Sequence, residues 1–206
     1  MKQLLLICAV VALVGCGTTQ TPTNPNWVSD PSDPNNVKIE AAIRREVVKH
    51  TGELTKADLD KLEVLYLEDN QLTSLENLGK LTNLERLMVY RNNLVDANGL
   101  EKLTKLWTVS FQHNQLTDVK DLDKLTQLKE LWLNGNKLTD VKGLEKLTQL
   151  TNLHLYGNKL TDVKGLEKLT QLKKLYLKDN PDLTKVQIDE LQKALPECFI
   201  ISNPKK

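Results

Sequence analysis

Disulfides, aromatic rings, long apolar runs and an excess of either charge are all scarce in this 206-residue chain, and each scarcity removes a class of protein. Three cysteines make no dense disulfide scaffold. The mostly apolar run from Leu4 to Val14 is too short for a transmembrane helix, which needs roughly 20 residues. Lys and Arg number 28 against 27 Asp and Glu, a net charge of +1 that leaves no electrostatic footprint for nucleic acid. There is no phosphate-binding glycine loop, no H-E-x-x-H and no nucleophile elbow. His50, His113 and His154 are the only histidines; His113 and His154 fall about 10 Å apart in the stack derived below, too far for a shared zinc without further ligands. Acidic pairs recur with the repeat on exposed arcs, a poor setting for general acid–base chemistry. The expectation is a protein that is not an enzyme and uses no cofactor or metal.

The first residues carry an address. Lys2, the apolar run Leu4–Val14, then Gly15 and Cys16 have the layout of an export signal. The four residues Leu13-Val14-Gly15-Cys16 resemble the bacterial lipobox, and that resemblance implies cleavage before Cys16 and lipid on its thiol. Gly17 stands where the same family expects Asp for inner-membrane retention, which implies the outer membrane in an organism that has one. Cys8 then leaves with the signal and Cys198 is left without a partner. The segment Thr18–Asn36, rich in Thr, Pro, Asn, Ser and Asp with Trp27 and Val28 as its large apolar residues, is predicted to be a tether that cannot order itself, with Trp27 either idle or docked on the first cap.

The body of the chain repeats. Leu62, Leu84, Leu106, Leu128, Leu150 and Leu172 recur every 22 residues, and Leu138–Gln149 and Leu160–Gln171 share the same twelve letters, LTDVKGLEKLTQ. Each copy opens as L-x-x-L-x-L-x-x-N-x-L, as in Leu128-Lys-Glu-Leu131-Trp-Leu133-Asn-Gly-Asn136-Lys-Leu138. Positions four to six alternate apolar, variable, apolar, the period of a strand with one buried face. Beyond the Asn the apolar residues come every third place, as in Leu138, Val141, Leu144 and Leu147, which favours 3₁₀-like or extended turns. Identical coils stack their strands in parallel and fill one leucine core. This pattern resembles the leucine-rich repeat, in the 22-residue bacterial class known from internalins. The resemblance implies an α/β solenoid, a right-handed curved stack with one short parallel strand per repeat and a helical cap at each end.

The expected organisation is a lipoprotein signal over 1–15, a tether over 16–36, a helical cap over 37–61, six repeats over 62–183 and a closing helix with an edge strand over 184–206. Asp33 and Pro34 start a helix predicted to run to about Lys49, presenting Ile39, Ile43 and Val47, and Thr55 to Asp58 form a capping-box-like start for a second turn. Thr184 and Gln187 cap a last helix that presents Ile188, Leu191 and Leu195 and stops at Pro196, with Cys198–Ile201 as a final strand and Cys198 a buried structural thiol. Asn70, Asn92, Asn114, Asn136, Asn158 and Asn180 form one column of carboxamides suited to satisfying a bending backbone. The sixteenth position, Asn77, Gly99, Asp121, Gly143 and Gly165, is predicted to carry positive φ in most copies.

Positions three, five and seven of each strand segment point out of the sheet on the side left bare. Position five reads Tyr66, Met88, Ser110, Trp132, His154, Tyr176, and position seven reads Glu68, Tyr90, Gln112, Asn134, Tyr156, Lys178. Of three Trp, four Tyr and two Phe in the chain, Tyr66, Tyr90, Trp132, Tyr156 and Tyr176 fall here, an enrichment that points to recognition, although strands favour aromatics in any case. The predicted partner-binding set is Tyr66, Met88, Tyr90, Trp132, His154, Tyr156 and Tyr176. Three roles remain open: an envelope-anchored monomer that binds a protein, a module for glycan or cell-wall polysaccharide, and an architectural protein with an idle sheet. The internalin resemblance adds surface adhesion to these, while the chain's last residues, Ser202-Asn-Pro-Lys-Lys206, are not an internalin-type sorting tail.

Overall fold

A computed structural model describes residues 24–204. The export signal and the lipid site predicted at Cys16 lie outside these residues. Helix α1 (Pro34–Glu46) and the single turn α2 (Lys56–Leu59) precede six strands, β1 (Val64–Tyr66), β2 (Arg86–Met88), β3 (Thr108–Ser110), β4 (Glu130–Trp132), β5 (Asn152–His154) and β6 (Lys174–Tyr176). Helix α3 (Lys185–Ala194) and strand β7 (Phe199–Ile201) close the chain. All seven strands form one open parallel sheet in sequence order. From β1 to β6 every register pair is one repeat apart, as in Leu65↔Leu87 and Leu131↔Leu153, so the period of the sequence is the period of the sheet. Between β6 and β7 the stride changes, with Lys174 facing Phe199, because α3 replaces the usual return arc.

The interior is a continuous column of leucines, with positions one, four and six of nearly every copy buried. Phe111 takes one of the leucine places in the third copy. The return arcs of four copies contain a short 3₁₀ turn, the geometry that the three-residue apolar spacing favours.

The asparagine column does what its chemistry suggested. The Asn136 carboxamide donates to the carbonyls of Phe111 in the preceding coil and Leu133 in its own, both at 3.0 Å, and accepts from the Leu116 N–H at 3.0 Å. Asn92, Asn114, Asn158 and Asn180 repeat the scheme. Each position-six carbonyl inside the stack therefore takes one proton from its own coil and one from the next. Asn70, with no repeat before it, donates only to Glu68 O at 2.7 Å.

The positive-φ column at position sixteen is present in most copies, as predicted. Gly99, Gly143 and Gly165 have φ of 97°, 98° and 104°, but Asn77 and Asp121 do not; they sit inside five-residue 3₁₀ turns, Glu76–Lys80 and Lys120–Lys124. Gly143 and Gly165 cap shorter turns, Leu144–Lys146 and Leu166–Lys168. A second left-handed column runs through position eight of every copy: Asp69, Arg91, His113, Gly135, Gly157 and Asp179, all between 53° and 65°. This turns the chain out of the sheet just before the buried Asn.

Both ends are closed. Asp33 caps α1 by accepting from Asn35 N–H, with Pro34 in the first turn, and Ile39 and Ile43 are buried against the first coil. The helix ends at Glu46, short of the predicted Lys49, because Val48 turns left-handed at φ 53° and the N–H groups of Val48 and Lys49 bond back to Arg45 O and Arg44 O. The tether prediction fails from Asn24 onward. Trp27 is buried, its backbone N–H bonded to Leu54 O at 3.0 Å and its indole N–H to Glu40 at 3.2 Å, so of the two alternatives for this ring it is the docked one. Asparagines hold the rest: Asn26 bridges Glu53 and the Lys56 N–H, and Asn36 bridges Val28 O and the Asp30 N–H. Side-chain bonds to backbone order a segment too poor in apolar residues to order itself by burial. At the other end, Thr184 and Gln187 form the expected box, and Leu195 and Cys198 are buried, the latter with its thiol pushed up to about 11 by desolvation.

Candidate binding face

The parallel sheet has leucines on one side only. Strand alternation puts Val64, Arg86, Thr108, Glu130, Asn152 and Lys174 at position three and the predicted position-five residues on the other side, with position seven just beyond. Tyr66 and Tyr156 are exposed, and Met88, Tyr90, Trp132, His154 and Tyr176 are half-buried among their neighbours. The seven predicted residues therefore share one face, and none of them enters the leucine interior.

They do not form one uniform strip. Trp132, His154 and Tyr176 are consecutive in register and make a rail of rings: the Trp132 and His154 centroids are 5.8 Å apart, and His154 stacks on Tyr176 at 4.2 Å with planes 18° apart. Burial between these rings holds the His154 imidazole below its ordinary range, with Glu130 opposing the shift and Lys174 adding to it. Tyr156 is tied separately, its hydroxyl bonded to Asp179, which keeps the phenol above its usual range.

Between that rail and Tyr66 lies a gap. Strand β3 carries Thr108 and Ser110 where its neighbours carry long side chains, and a hollow of about 370 Å³ opens over it, lined by Met88, Tyr90, Arg91, Ser110, Gln112, His113 and Trp132. Gly135 leaves room beside it, since a Cβ there would stand 2.7 Å from His113 Nδ1 and push that ring aside. Among the described residues, four buried side-chain atoms lack a hydrogen-bond partner: Glu68 Oε2, Arg86 Nε, Thr108 Oγ1 and Asn134 Oδ1. All four belong to outward positions three and seven, none to the core.

Sequence reasoning missed three contributors. Phe199 and Ile201 extend the face by one strand, because they pair in register with Lys174 and Tyr176; Phe199 is 64% exposed. The change of stride before β7 hid them from a search at constant period. Trp107, at position two, stands at the strand entrance, where its indole N–H bonds Glu85 at 3.2 Å and the Arg86 guanidinium lies 5.6 Å from its ring centre. Among the described residues no cluster of His, Cys, Asp and Glu is arranged to hold a metal ion, and no helix is long and apolar enough to cross a membrane.

Comparison with known proteins agrees with this architecture. The family described as Leucine Rich repeats (2 copies) matches residues 60–102, 104–146 and 148–193. The solved structure of an internalin (InlF) from Listeria monocytogenes superposes with a TM-score of 0.64 at 22% identity, covering 82% of this chain and 57% of that one. The functional domain of InlJ from the same organism, which includes a cysteine ladder, gives a TM-score of 0.68 at 24% identity, covering 82% of this chain and 37% of that one. The chain thus spans little more than half, and about a third, of these two structures. A search of curated proteins finds no match.

Proposed function

The chain belongs to the leucine-rich-repeat family, with an internalin-like fold, and from that premise we propose that it is a non-enzymatic scaffold of the bacterial cell envelope, lipid-anchored through Cys16, that recognises a protein partner on the open face of its sheet. The observation that carries the reading is the rail Trp132–His154–Tyr176 with Tyr66, Met88, Tyr90 and Tyr156 on the same face. A parallel sheet normally has both faces covered, so a bare one lined with rings offers large contact area at low entropic cost. Six repeat strands about 4.8 Å apart span roughly 25 Å, enough for a small domain or an extended peptide.

Two experiments test the two halves of the proposal. Trp132→Ala combined with Tyr156→Ala removes side chains that the core does not use, so far-ultraviolet circular dichroism is expected to stay near wild type while capture of a partner from envelope extract is lost. Capture at wild-type level moves the site elsewhere, and retention on purified cell-wall polysaccharide in place of protein gives the face to glycans. For the anchor, Cys16→Ala is expected to release the chain from the detergent-extractable membrane fraction; a variant that stays equally membrane-bound rules the lipid out.

A further inference from the structure

The hollow over β3 has a chemistry of its own. In β2, β4 and β5 the outward residues are partly exposed, whereas β3 is buried along its whole length, Thr108 to 1% and Ser110 to 3% exposure. Their cover is lateral: Arg86 and Glu130 flank Thr108 in register, and Met88 and Trp132 flank Ser110. The result is a slot whose floor is Ser110, whose walls are a thioether, a phenol and an indole from Met88, Tyr90 and Trp132, and whose rim carries Arg91, Gln112 and His113. Walls of this kind suit a flat, polarisable guest.

The rim narrows the choice further. No carboxylate lines the hollow, and its permanent charge is the Arg91 guanidinium. That cation is only loosely engaged, 3.8 Å from Asp69 with both side chains more than half exposed. A bidentate carboxylate would hold it better than its present neighbour does. We infer that the Ser110 slot receives an aromatic side chain of the protein partner and that Arg91 meets a carboxylate next to that side chain, so the recognised feature is a polypeptide segment pairing an aromatic residue with an acid. This rests on the open face being the recognition surface. Neutral sugars fit less well, since their hydroxyls would find Ser110 and Gln112 and no carboxylate acceptor.

Met1 and Met88 are the only methionines, so carbon-13 labelling of methionine methyls puts a reporter in the slot wall with at most one other signal in the full chain. Titration with N-acetyl-phenylalanine is expected to move the Met88 methyl resonance upfield by ring current, saturating with a Kd on the order of 1–10 mM for a fragment of this size. Its amide, lacking the carboxylate, should bind roughly two- to fivefold more weakly, as fits an exposed ion pair. Arg91→Gln should erase that difference, and Ser110→Leu should abolish both shifts. The inference is overturned if neither probe moves Met88 by about 20 mM, if Ser110→Leu responds like wild type, or if N-acetylglucosamine oligomers move the signal and the phenylalanine probes do not. The wider reading is tested apart from the slot. If Tyr156→Ala with Tyr176→Ala loses envelope-extract capture while Ser110→Leu captures normally, the slot is refuted and the face survives.

Discussion

Replacing Asn136 by alanine tests whether the carboxamide column is the structural tie between coils. Asn136 makes three short bonds, to Phe111 O, Leu133 O and from Leu116 N–H. The two carbonyls keep a second donor after the change, from Asn114 and Asn158, so each loses only one bond, about 1 kcal/mol net. The Leu116 N–H loses its buried acceptor, which costs about 1–3 kcal/mol. Together Asn136→Ala should destabilise the fold by roughly 3–5 kcal/mol. Asn70→Ala is the internal control: it removes one bond within its own coil, to Glu68 O, and should cost about 1 kcal/mol. Urea unfolding followed by circular dichroism reads both. Equal losses in the two variants, within about 0.5 kcal/mol, would refute the inter-coil role. Asn136→Asp sharpens the test, because a carboxylate accepts from Leu116 but faces two carbonyl oxygens without a proton. Such a group has its folded pKa raised, so its stability deficit should be largest near neutrality and shrink as the pH falls through that raised value.

Three further outcomes are expected. Gly99→Ala brings a Cβ to 2.4 Å from Leu75 O at φ 97° and should cost more than about 3 kcal/mol, whereas Gly157→Ala, at φ 65° with its nearest neighbour 3.7 Å away, should cost only the left-handed penalty of about 1 kcal/mol; melting curves of the pair decide. Val48→Gly should stabilise the cap by about 1 kcal/mol in urea unfolding, since Val48 is 78% exposed and a β-branched residue is held at φ 53°; a loss of stability would mean its side chain packs in a way its exposure denies. Because burial depresses the folded pKa of His154, stability should be full above the unfolded value of about 6.5 and fall as the pH drops from there toward the folded pKa, a dependence absent in His154→Gln.

The repeat period, the strands, the asparagine column and both capping boxes were legible because each rests on local spacing that a parallel stack repeats without change. Position eight was not. Its left-handed turn is filled by Asp69, Arg91, His113 and Asp179 as readily as by Gly135 and Gly157, so the glycine that would betray it appears in only two copies. Position sixteen was legible in its three glycines and not in the other two copies: Asn77 and Asp121 tolerate the left-handed region, but a longer 3₁₀ turn gave them another way round the corner. Residues 24–36 were misjudged because counting apolar area ignores what Asn26 and Asn36 achieve through their amides. On the face, the column membership of the seven predicted residues followed from alternation alone, but the slot did not. It arises from short residues beside long ones on adjacent strands, a lateral relation visible only once the register is laid out.

The altered stride between β6 and β7 has a consequence for how such a molecule can grow. Every junction from β1 to β6 is interchangeable, so a whole 22-residue coil inserted between the nearly identical fourth and fifth copies would meet the same neighbours above and below. The junction to β7 is not of this kind, because α3 stands in the return arc and the register moves to Lys174↔Phe199, so a 22-residue coil placed after β6 would not meet the neighbours it meets elsewhere in the stack. The length of the molecule is thus adjustable in steps of about 4.8 Å along the stacking axis, while its width and its two ends stay fixed. A ruler of this kind can be matched to a longer or shorter guest by duplication alone, leaving the fine chemistry of each rung to be edited one residue at a time.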